Sequence, residues 1–179
     1  MANAVFCCGR MNPPTIGHTK VVLKMDEFAA KHDAKTFVFS TRSNDPERNP
    51  LSPDEKRDFL SRAFGRDVVL TKSPMTAVEL LVEAGIKKAT FFVGEDRRAM
   101  AMAVSEFGQM LGIEITAEII QRDIDDVSAT EVRNTALEGD YKTFCTLVSN
   151  PDQNFQFELY HAVRRGMGVE DGIVRESFG

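Results

Sequence analysis

The sequence predicts an α/β protein with a five-stranded parallel sheet and helices on both of its faces. Three observations predict it. Short apolar stretches alternate along the chain with segments whose apolar residues repeat at helical spacing. Glycine, proline and helix-capping residues separate the two kinds of segment. The chain has 179 residues, 42% of them hydrophobic, which is enough for one domain with an ordinary core.

The chain opens with two strand–helix pairs. Val5–Cys8 is a short apolar strand, and Gly17–His32 follows it with apolar residues on one helical face. Lys35–Ser40, with the sequence KTFVFS, is the second strand. The second helix, Pro53–Phe64, begins at a capping box, the sequence SPDE, with proline at the first helical position.

Three further strands follow, with a helix between each pair. Val68–Thr71 is the third strand, and the helix Thr76–Ala84 after it stops at a glycine. Ala89–Val93 is the fourth strand, and the helix Arg97–Leu111 leads from it to the fifth strand, Ile113–Ile120. Because such crossovers are right-handed and leave parallel strands side by side, this order predicts a Rossmann-like sheet. Ligands of these sheets bind outside the carboxyl ends of the strands, where the strand order reverses.

Short helices complete a single predicted domain, residues 1–169. They are Ala129–Leu137, Tyr141–Val148 and Phe155–Arg165. The last residues, 170–179, contain few side chains to bury, so we expect them to form a flexible tail.

Charge and composition exclude several classes of protein. The net charge of −5 creates no general attraction for nucleic acid or for an anionic membrane. No apolar run approaches the ~20 residues that span a bilayer, and no basic region precedes the first apolar residues as it would in a signal peptide. The three cysteines have neither CxxC nor zinc-ligand spacing and are expected to be packed thiols. We therefore expect a cytoplasmic protein that binds phosphate only at a local site.

The segment GRMNPPTIGH, residues 9–18, directly follows the first strand and has the composition of a phosphate-binding loop. Gly9 allows a sharp turn and a close approach to a ligand, and the two prolines stiffen the loop. A helix that begins at Gly17 and His18 presents unpaired N–H groups and its positive dipole end to an anion. Arg10 adds a guanidinium fork, and Thr15 and His18 add a hydroxyl and an imidazole. The spacing is neither that of a Walker A loop nor that of GxGxxG.

The segment VSATEVRNTALEGD, residues 127–140, forms a second candidate phosphate site. Ser128 is placed to cap the helix that follows. Arg133 lies one turn beyond Thr130 on the same side of the helix, so both side chains can reach the same phosphate groups. The alternative interpretation is an ordinary capped surface helix.

Polar residues that follow the other strands are candidates for binding an acceptor. Arg42 and Ser43, in STRSND, come directly after the second strand and suit an acidic acceptor such as a nucleotide phosphate. The acidic segment DIDD, residues 123–126, suggests a metal site but is equally consistent with a solvated loop. We assign no metal ligand from the protein.

Together these segments resemble the signatures of the HxGH nucleotidyltransferase superfamily. TIGH, from Thr15 to His18, is similar to the TxGH form found in phosphopantetheine adenylyltransferases, and GR with its prolines is closer to archaeal-type nicotinamide mononucleotide adenylyltransferases. NPLSPDEK, residues 49–56, resembles the segment NPF-T-x-x-E-R of that branch. Ser128, Thr130 and Arg133 match the second signature, S-[ST]-T-x-x-R. The C-terminal sequence FELYHAVRRGMGV is similar to the ends of nucleotidyltransferase-like proteins of tailed bacteriophages.

The resemblance implies a mechanism and a set of roles. A phosphate oxygen of the acceptor attacks the α-phosphorus of a nucleoside triphosphate in line, and pyrophosphate leaves without a covalent intermediate. Mg²⁺ bridges phosphate oxygens. The implied catalytic residues are Arg10, Thr15, His18 and Arg133, and the implied phosphate-binding residues are Gly9, Gly17, Ser128 and Thr130. The segment VGEDRR resembles the Gly-x-Asp loop of the superfamily, in which Gly94 and Asp96 contact a ribose or base edge; the alternative is a polar loop with Asp96 as a helix cap.

The substrates implied are ATP and a small phosphorylated acceptor such as nicotinamide mononucleotide. One alternative is transfer of CMP to a phosphorylated alcohol or sugar, although the longer cytidylyltransferase signatures are absent. Another is a nucleotide-binding module without activity. The resemblance also allows a homo-oligomer, and a location in the host cytoplasm if a phage encodes the chain.

Overall fold

The computed structural model describes residues 3–121 and 127–169. It contains a five-stranded sheet in which every neighbouring pair of strands is parallel, in the order β3-β2-β1-β4-β5. The strands are β1 (Asn3–Gly9), β2 (Lys35–Thr41), β3 (Val69–Thr71), β4 (Lys88–Gly94) and β5 (Glu114–Ile120). The predicted α/β, Rossmann-like fold is confirmed. The segment DIDD and the predicted tail, residues 170–179, lie outside the described residues.

Seven α-helices accompany the sheet in the part of the chain that the structure describes. They are α1 (Ile16–His32), α2 (Pro53–Phe64), α3 (Pro74–Glu83), α4 (Arg98–Leu111), α5 (Ala129–Glu138), α6 (Tyr141–Leu147) and α7 (Gln153–Gly166). A short 3₁₀ turn, Glu95–Arg97, precedes α4. The capping box that starts α2 is present, with the side chain of Ser52 accepting from the N–H of Glu55 and the reverse bond also formed. None of the described helices is both long and apolar enough to cross a membrane.

The first of two compact units contains the sheet and comprises the described residues of 3–9, 20–41 and 67–121. Phe6 of β1 stacks on Phe91 of β4 with ring centroids 4.6 Å apart, and α3 and α4 pack on this side of the sheet. Phe92, the next residue along β4, meets Phe28 of α1 edge-to-face at 5.5 Å. Because successive strand residues point to opposite faces, these contacts place helices on both faces of the sheet, as the sequence predicts.

The second unit comprises the described residues of 10–19, 42–66 and 127–169. Its core joins α2 to the three C-terminal helices α5, α6 and α7. Phe59 of α2 packs edge-to-face on Phe155 of α7 at 5.7 Å, and Phe144 of α6 and Leu159 of α7 are fully buried beside them. The residues between β1 and α1 belong to this unit, so the same helices support the candidate phosphate-binding loop.

We expect the substitution Gly166→Ala to destabilise the second unit. A Cβ atom at Gly166 would overlap the carbonyl oxygen of Pro50, a backbone atom that no side-chain rotation can move away. Overpacking of this kind costs about 1–3 kcal/mol of unfolding free energy, measurable by urea denaturation. The neighbouring change Arg165→Ala is the control. It removes only an exposed ion pair with Glu55 at 3.6 Å, so a loss as large as that of Gly166→Ala would contradict the steric explanation.

Candidate functional site

The strand order of the first unit reverses between β1 and β4, which are neighbours. This is the position at which α/β sheets bind ligands. β1 ends at Gly9, whose carbonyl oxygen accepts from the buried hydroxyl of Ser40 at 2.7 Å. β4 ends at Gly94, and Asp96 lies exposed in the 3₁₀ turn that follows. The alternative role of Asp96 as a helix cap is wrong, since neither the turn nor α4 has a side-chain cap.

The loop after β1 makes its sharp turn at Met11. Met11 has φ of 46°, in the left-handed region that non-glycine residues seldom adopt. The expectation that Gly9 supplies this turn is wrong, because Gly9 ends β1 and is not left-handed. The buried side chain of Asn12 fixes the next position, since its Nδ2 donates to the carbonyl of Leu51 at 3.2 Å and its Oδ1 accepts from the N–H of Leu51 at 2.9 Å.

His18 is oriented by the backbone of its own loop. The N–H of Thr15 donates to Nδ1 of His18 at 2.9 Å. Nδ1 is therefore the acceptor nitrogen, and in the neutral ring the proton lies on Nε2, which acts as a donor. If Nδ1 were protonated, its N–H and the N–H of Thr15 would face each other, and this hydrogen bond could not form.

Thr15 is fully buried and connects the two signature segments. Its Oγ1 donates to the carbonyl of Val127 at 3.3 Å, and its carbonyl accepts from the hydroxyl of Ser149 at 2.6 Å. Gly17 allows this approach, because a Cβ atom there would lie 3.2 Å from the Val127 oxygen. The structure thus places Thr15 where it supports the loop and the ring of His18.

The second signature contacts the same loop through Arg133. Its Nη1 donates to the carbonyl of Asn12 at 2.9 Å, and its Nη2 donates to Oγ1 of Thr130 at 3.1 Å. Ser128 caps α5, with its Oγ accepting from the N–H of Glu131 at 3.2 Å. The predicted capping role of Ser128 is confirmed, its role in binding phosphate stays a prediction, and Arg133 joins the helix to the phosphate-binding loop.

Charged groups of two other segments act electrostatically on Arg133. Burial is the main cause that lowers the pKa of Arg133 below its ordinary value, with the charges of Arg10 and Arg48 acting in the same direction and Asp45 opposing them. These four residues form what we call the Arg133 cluster. It contains three guanidinium groups and one carboxylate, so it attracts anions. Arg48 was missed by sequence reasoning, because nothing distinguished it from other exposed arginines.

Asp45 organises the turn that carries Arg48. Its Oδ1 accepts from the N–H groups of Glu47 at 3.1 Å and of Arg48 at 2.7 Å, and its Oδ2 accepts from Nδ2 of Asn49 at 2.7 Å. The bonds from Arg48 and Asn49, the largest causes, lower the pKa of Asp45 to about 2. The ionised carboxylate therefore holds this turn at neutral pH.

We expect Asp45→Asn to reduce stability at pH 7 but not in strong acid. The folded-state pKa of Asp45 is about 2, below its usual value of 3.8. The stabilising contribution is therefore present above about pH 4 and disappears as the pH falls through 2. Thermal unfolding of both proteins from pH 7 to pH 2 tests this. A difference in Tm that stays constant down to pH 2 would show that the charge of Asp45 does not hold the turn.

The remaining predicted residues lie where the sequence places them, at the ends of strands. Arg42 and Ser43 are exposed residues directly after β2, and their role in binding an acceptor stays a prediction.

Sequence reasoning missed Lys56, which is fully buried in α2. Its position after the capping box is one at which most lysines are exposed, so no sequence signal identified it.

Comparison with known proteins shows the fold. No family model and no curated protein matches the chain. TmcAL of Thermotoga maritima, in a structure bound with alpha-thio ATP, is 12% identical with a TM-score of 0.64, and the match covers 93% of this chain and 56% of that one. A protein of Vibrio parahaemolyticus described as a nicotinate-nucleotide adenylyltransferase is 16% identical with a TM-score of 0.55, covering 89% and 96%. A macrolide-efflux protein of Streptococcus pneumoniae is 18% identical with a TM-score of 0.51, covering 82% and 64%.

Proposed function

We propose that the chain is a nucleotidyltransferase. It transfers a nucleotidyl group, with AMP from ATP as the first candidate, to a phosphate oxygen of a small phosphorylated acceptor and releases pyrophosphate. The observation that carries the proposal is the bond from Arg133 to the carbonyl of Asn12, two residues 121 positions apart. Through it, the two segments that resemble superfamily signatures meet in the same unit, where Arg10 and Arg48 act electrostatically on Arg133.

The Arg133 cluster has the charge that a triphosphate requires. Guanidinium forks bind phosphate oxygens in pairs and stay charged at any physiological pH. Arg10 and Arg48 are exposed and Arg133 is half-buried, so the cluster offers charge both at the surface and in a partly desolvated position where charge is less screened. We assign these arginines to the β- and γ-phosphates, together with Thr130.

His18 has the geometry of a neutral donor to a phosphate oxygen. With Nδ1 accepting from the backbone of Thr15, the Nε2 proton is the donor that we assign to the α-phosphate, where negative charge shifts during transfer. Direct displacement at phosphorus needs positioning and stabilisation of charge more than covalent participation by the protein. We therefore assign a donor role to His18 and a positioning role to Thr15.

We propose that Mg²⁺ comes with the triphosphate. Among the described residues there is no group of three His, Cys, Asp or Glu side chains that could hold a metal ion. Mg²⁺ keeps several of its waters and is commonly held by substrate phosphates, and this is the binding mode that we propose for it. When bound, it would neutralise phosphate charge.

The choice of ATP as the nucleotide and of a mononucleotide as the acceptor is supported by the fold neighbours. The fold neighbours include a structure bound with alpha-thio ATP and a protein described as a nicotinate-nucleotide adenylyltransferase, which favours ATP and a mononucleotide acceptor. The chain spans 56% of the TmcAL chain, so that protein's whole activity does not transfer. For the ribose or base we keep Gly94 and Asp96, and for the acceptor Arg42 and Ser43.

Release of pyrophosphate tests the proposal. The full-length protein is assayed with ATP, CTP, GTP and UTP, each paired with nicotinamide mononucleotide, nicotinate mononucleotide, phosphopantetheine and glycerol 3-phosphate. We expect the highest rate with ATP and a mononucleotide. A preference for CTP and a phosphorylated alcohol would support the cytidylyltransferase alternative. Binding of ATP without turnover in any pairing would support a nucleotide-binding module and overturn the enzymatic proposal.

A further inference from the structure

Lys56 is a fully buried lysine in the first turns of α2. Its Nζ donates to the carbonyl oxygen of Arg10 at 3.0 Å. A buried ammonium group is costly unless its hydrogen bonds are made, and an apolar side chain of similar length would fill the space without that cost. The presence of the charge therefore needs an explanation beyond packing.

The carbonyl that Lys56 holds comes directly before the left-handed residue of the loop. Met11 is 5% exposed with φ of 46°. A non-glycine residue persists in this conformation only where its surroundings enforce it. Lys56 fixes the backbone on the Arg10 side of Met11. On the other side, Arg133 and Leu51 bind the backbone and side chain of Asn12.

The position of Arg10 depends on this turn. Its guanidinium acts electrostatically on Arg133, while its carbonyl accepts from Lys56. A change in the backbone of Arg10 would move its side chain relative to Arg133 and Arg48. The ammonium also brings a positive charge, excluded from water and hence weakly screened, within hydrogen-bond distance of the loop backbone.

We propose that Lys56 is a positioning residue for polyphosphate binding: it holds the Arg10–Met11 turn so that Arg10 stays in the Arg133 cluster. The identity of the ligand as a nucleoside triphosphate rests on the proposed function. The claim that Lys56 fixes the turn is independent of that function. The competing explanation is that Lys56 only packs α2 against its neighbours, in which case any comparable loss of packing on α2 would have the same effect.

Trypsin cleaves after Arg10, so the rate at which it cleaves the Arg10–Met11 bond reports how firmly the turn is held. The measurement needs no nucleotide. We expect Lys56→Met to accelerate cleavage of the Arg10–Met11 bond about tenfold, as loss of a buried hydrogen bond to a charged group would. Cleavage after Arg66 should change less than twofold. Mass spectrometry of the fragments identifies each bond. Equal acceleration at both bonds, or none at Arg10, would overturn the proposal. Lys56→Gln, which keeps an N–H donor, should be cleaved more slowly than Lys56→Met and provides the comparison if the methionine variant does not fold.

Calorimetry with inorganic tripolyphosphate and with ATP tests the consequence for binding. We expect Lys56→Met to weaken binding of both about tenfold. The control is Phe59→Leu, which removes packing volume from the same helix without touching Arg10. Equal weakening by Phe59→Leu would overturn the positioning role. If the native protein binds neither probe, the proposed function fails, whereas the trypsin comparison still decides whether Lys56 holds the turn.

Discussion

Replacement of His18 by alanine is expected to lower kcat by about 10²–10³-fold, the usual effect of removing one donor that stabilises transition-state charge. The KM for ATP should change much less, because the Arg133 cluster, to which we assign the triphosphate, is unchanged in this variant. The imidazole is half-buried and its Nδ1 is occupied by the backbone of Thr15 at 2.9 Å. Its loss therefore removes the Nε2 donor and the acceptor of the Thr15 N–H, while the bonds of Asn12 to Leu51 and of Thr15 Oγ1 to Val127 stay in place.

Two amide variants separate the nitrogens of His18. In His18→Gln the side-chain amide lies near the position of Nε2, whereas in His18→Asn it lies near that of Nδ1. If the Nε2 proton is the functional donor, glutamine should retain at least about tenfold more activity than asparagine, a difference of one hydrogen bond. Steady-state pyrophosphate release measures all three variants. Equal activity of the two amides, or unchanged turnover in His18→Ala, would contradict the assigned role. Thermal unfolding checks that each variant is folded.

The sequence predicts the fold because the spacing of apolar residues differs between strands and helices. The β4 strand begins at Lys88 and was expected from Ala89, a difference of the size that frayed ends produce. The apolar spacing predicts a start at Thr76, but α3 begins at Pro74, because Ser73 caps the helix through the N–H of Thr76. A serine followed by proline is itself a start signal for a helix.

The sequence predicts the candidate site only in part, because some of its features depend on contacts between segments that are distant in the chain. Spacing along a helix is local, so the pairing of Thr130 with Arg133 follows from the sequence. The dihedral angle of Met11 and the burial of Lys56 depend on segments distant in the chain. No composition rule distinguishes a buried lysine from an exposed one. Motif reasoning therefore identified Thr15 and Arg133, which join the two signatures, but not Met11 and Lys56, which shape the loop between them.

We expect the affinity for triphosphate to depend most strongly on Arg133. Arg133→Ala is expected to lower kcat/KM for ATP by about 10²–10⁴-fold, since two hydrogen bonds to charged groups contribute about 1.5–3 kcal/mol each. Most of the loss should fall on KM. Most of the charge of the β- and γ-phosphates is already present in the ground state, and only the charge that the departing pyrophosphate gains develops in the transition state, so the larger part of their binding is uniform through the reaction. For His18→Ala we expect the opposite result, in which most of the loss of kcat/KM comes from kcat.

Arg133→Lys tests whether the fork or only the charge matters. Lysine keeps the charge but cannot bind the carbonyl of Asn12 and Oγ1 of Thr130 with two nitrogens as Arg133 does at 2.9 and 3.1 Å. We expect KM for ATP between that of the native protein and that of Arg133→Ala. Arg62→Ala is the control, because Arg62 is an exposed arginine of the same unit that pairs with Asp58 and Glu158. If Arg62→Ala raised KM as much as Arg133→Ala, general charge rather than the two-signature contact would bind the triphosphate. If Arg133→Lys matched the native protein, the guanidinium geometry would have no part in binding.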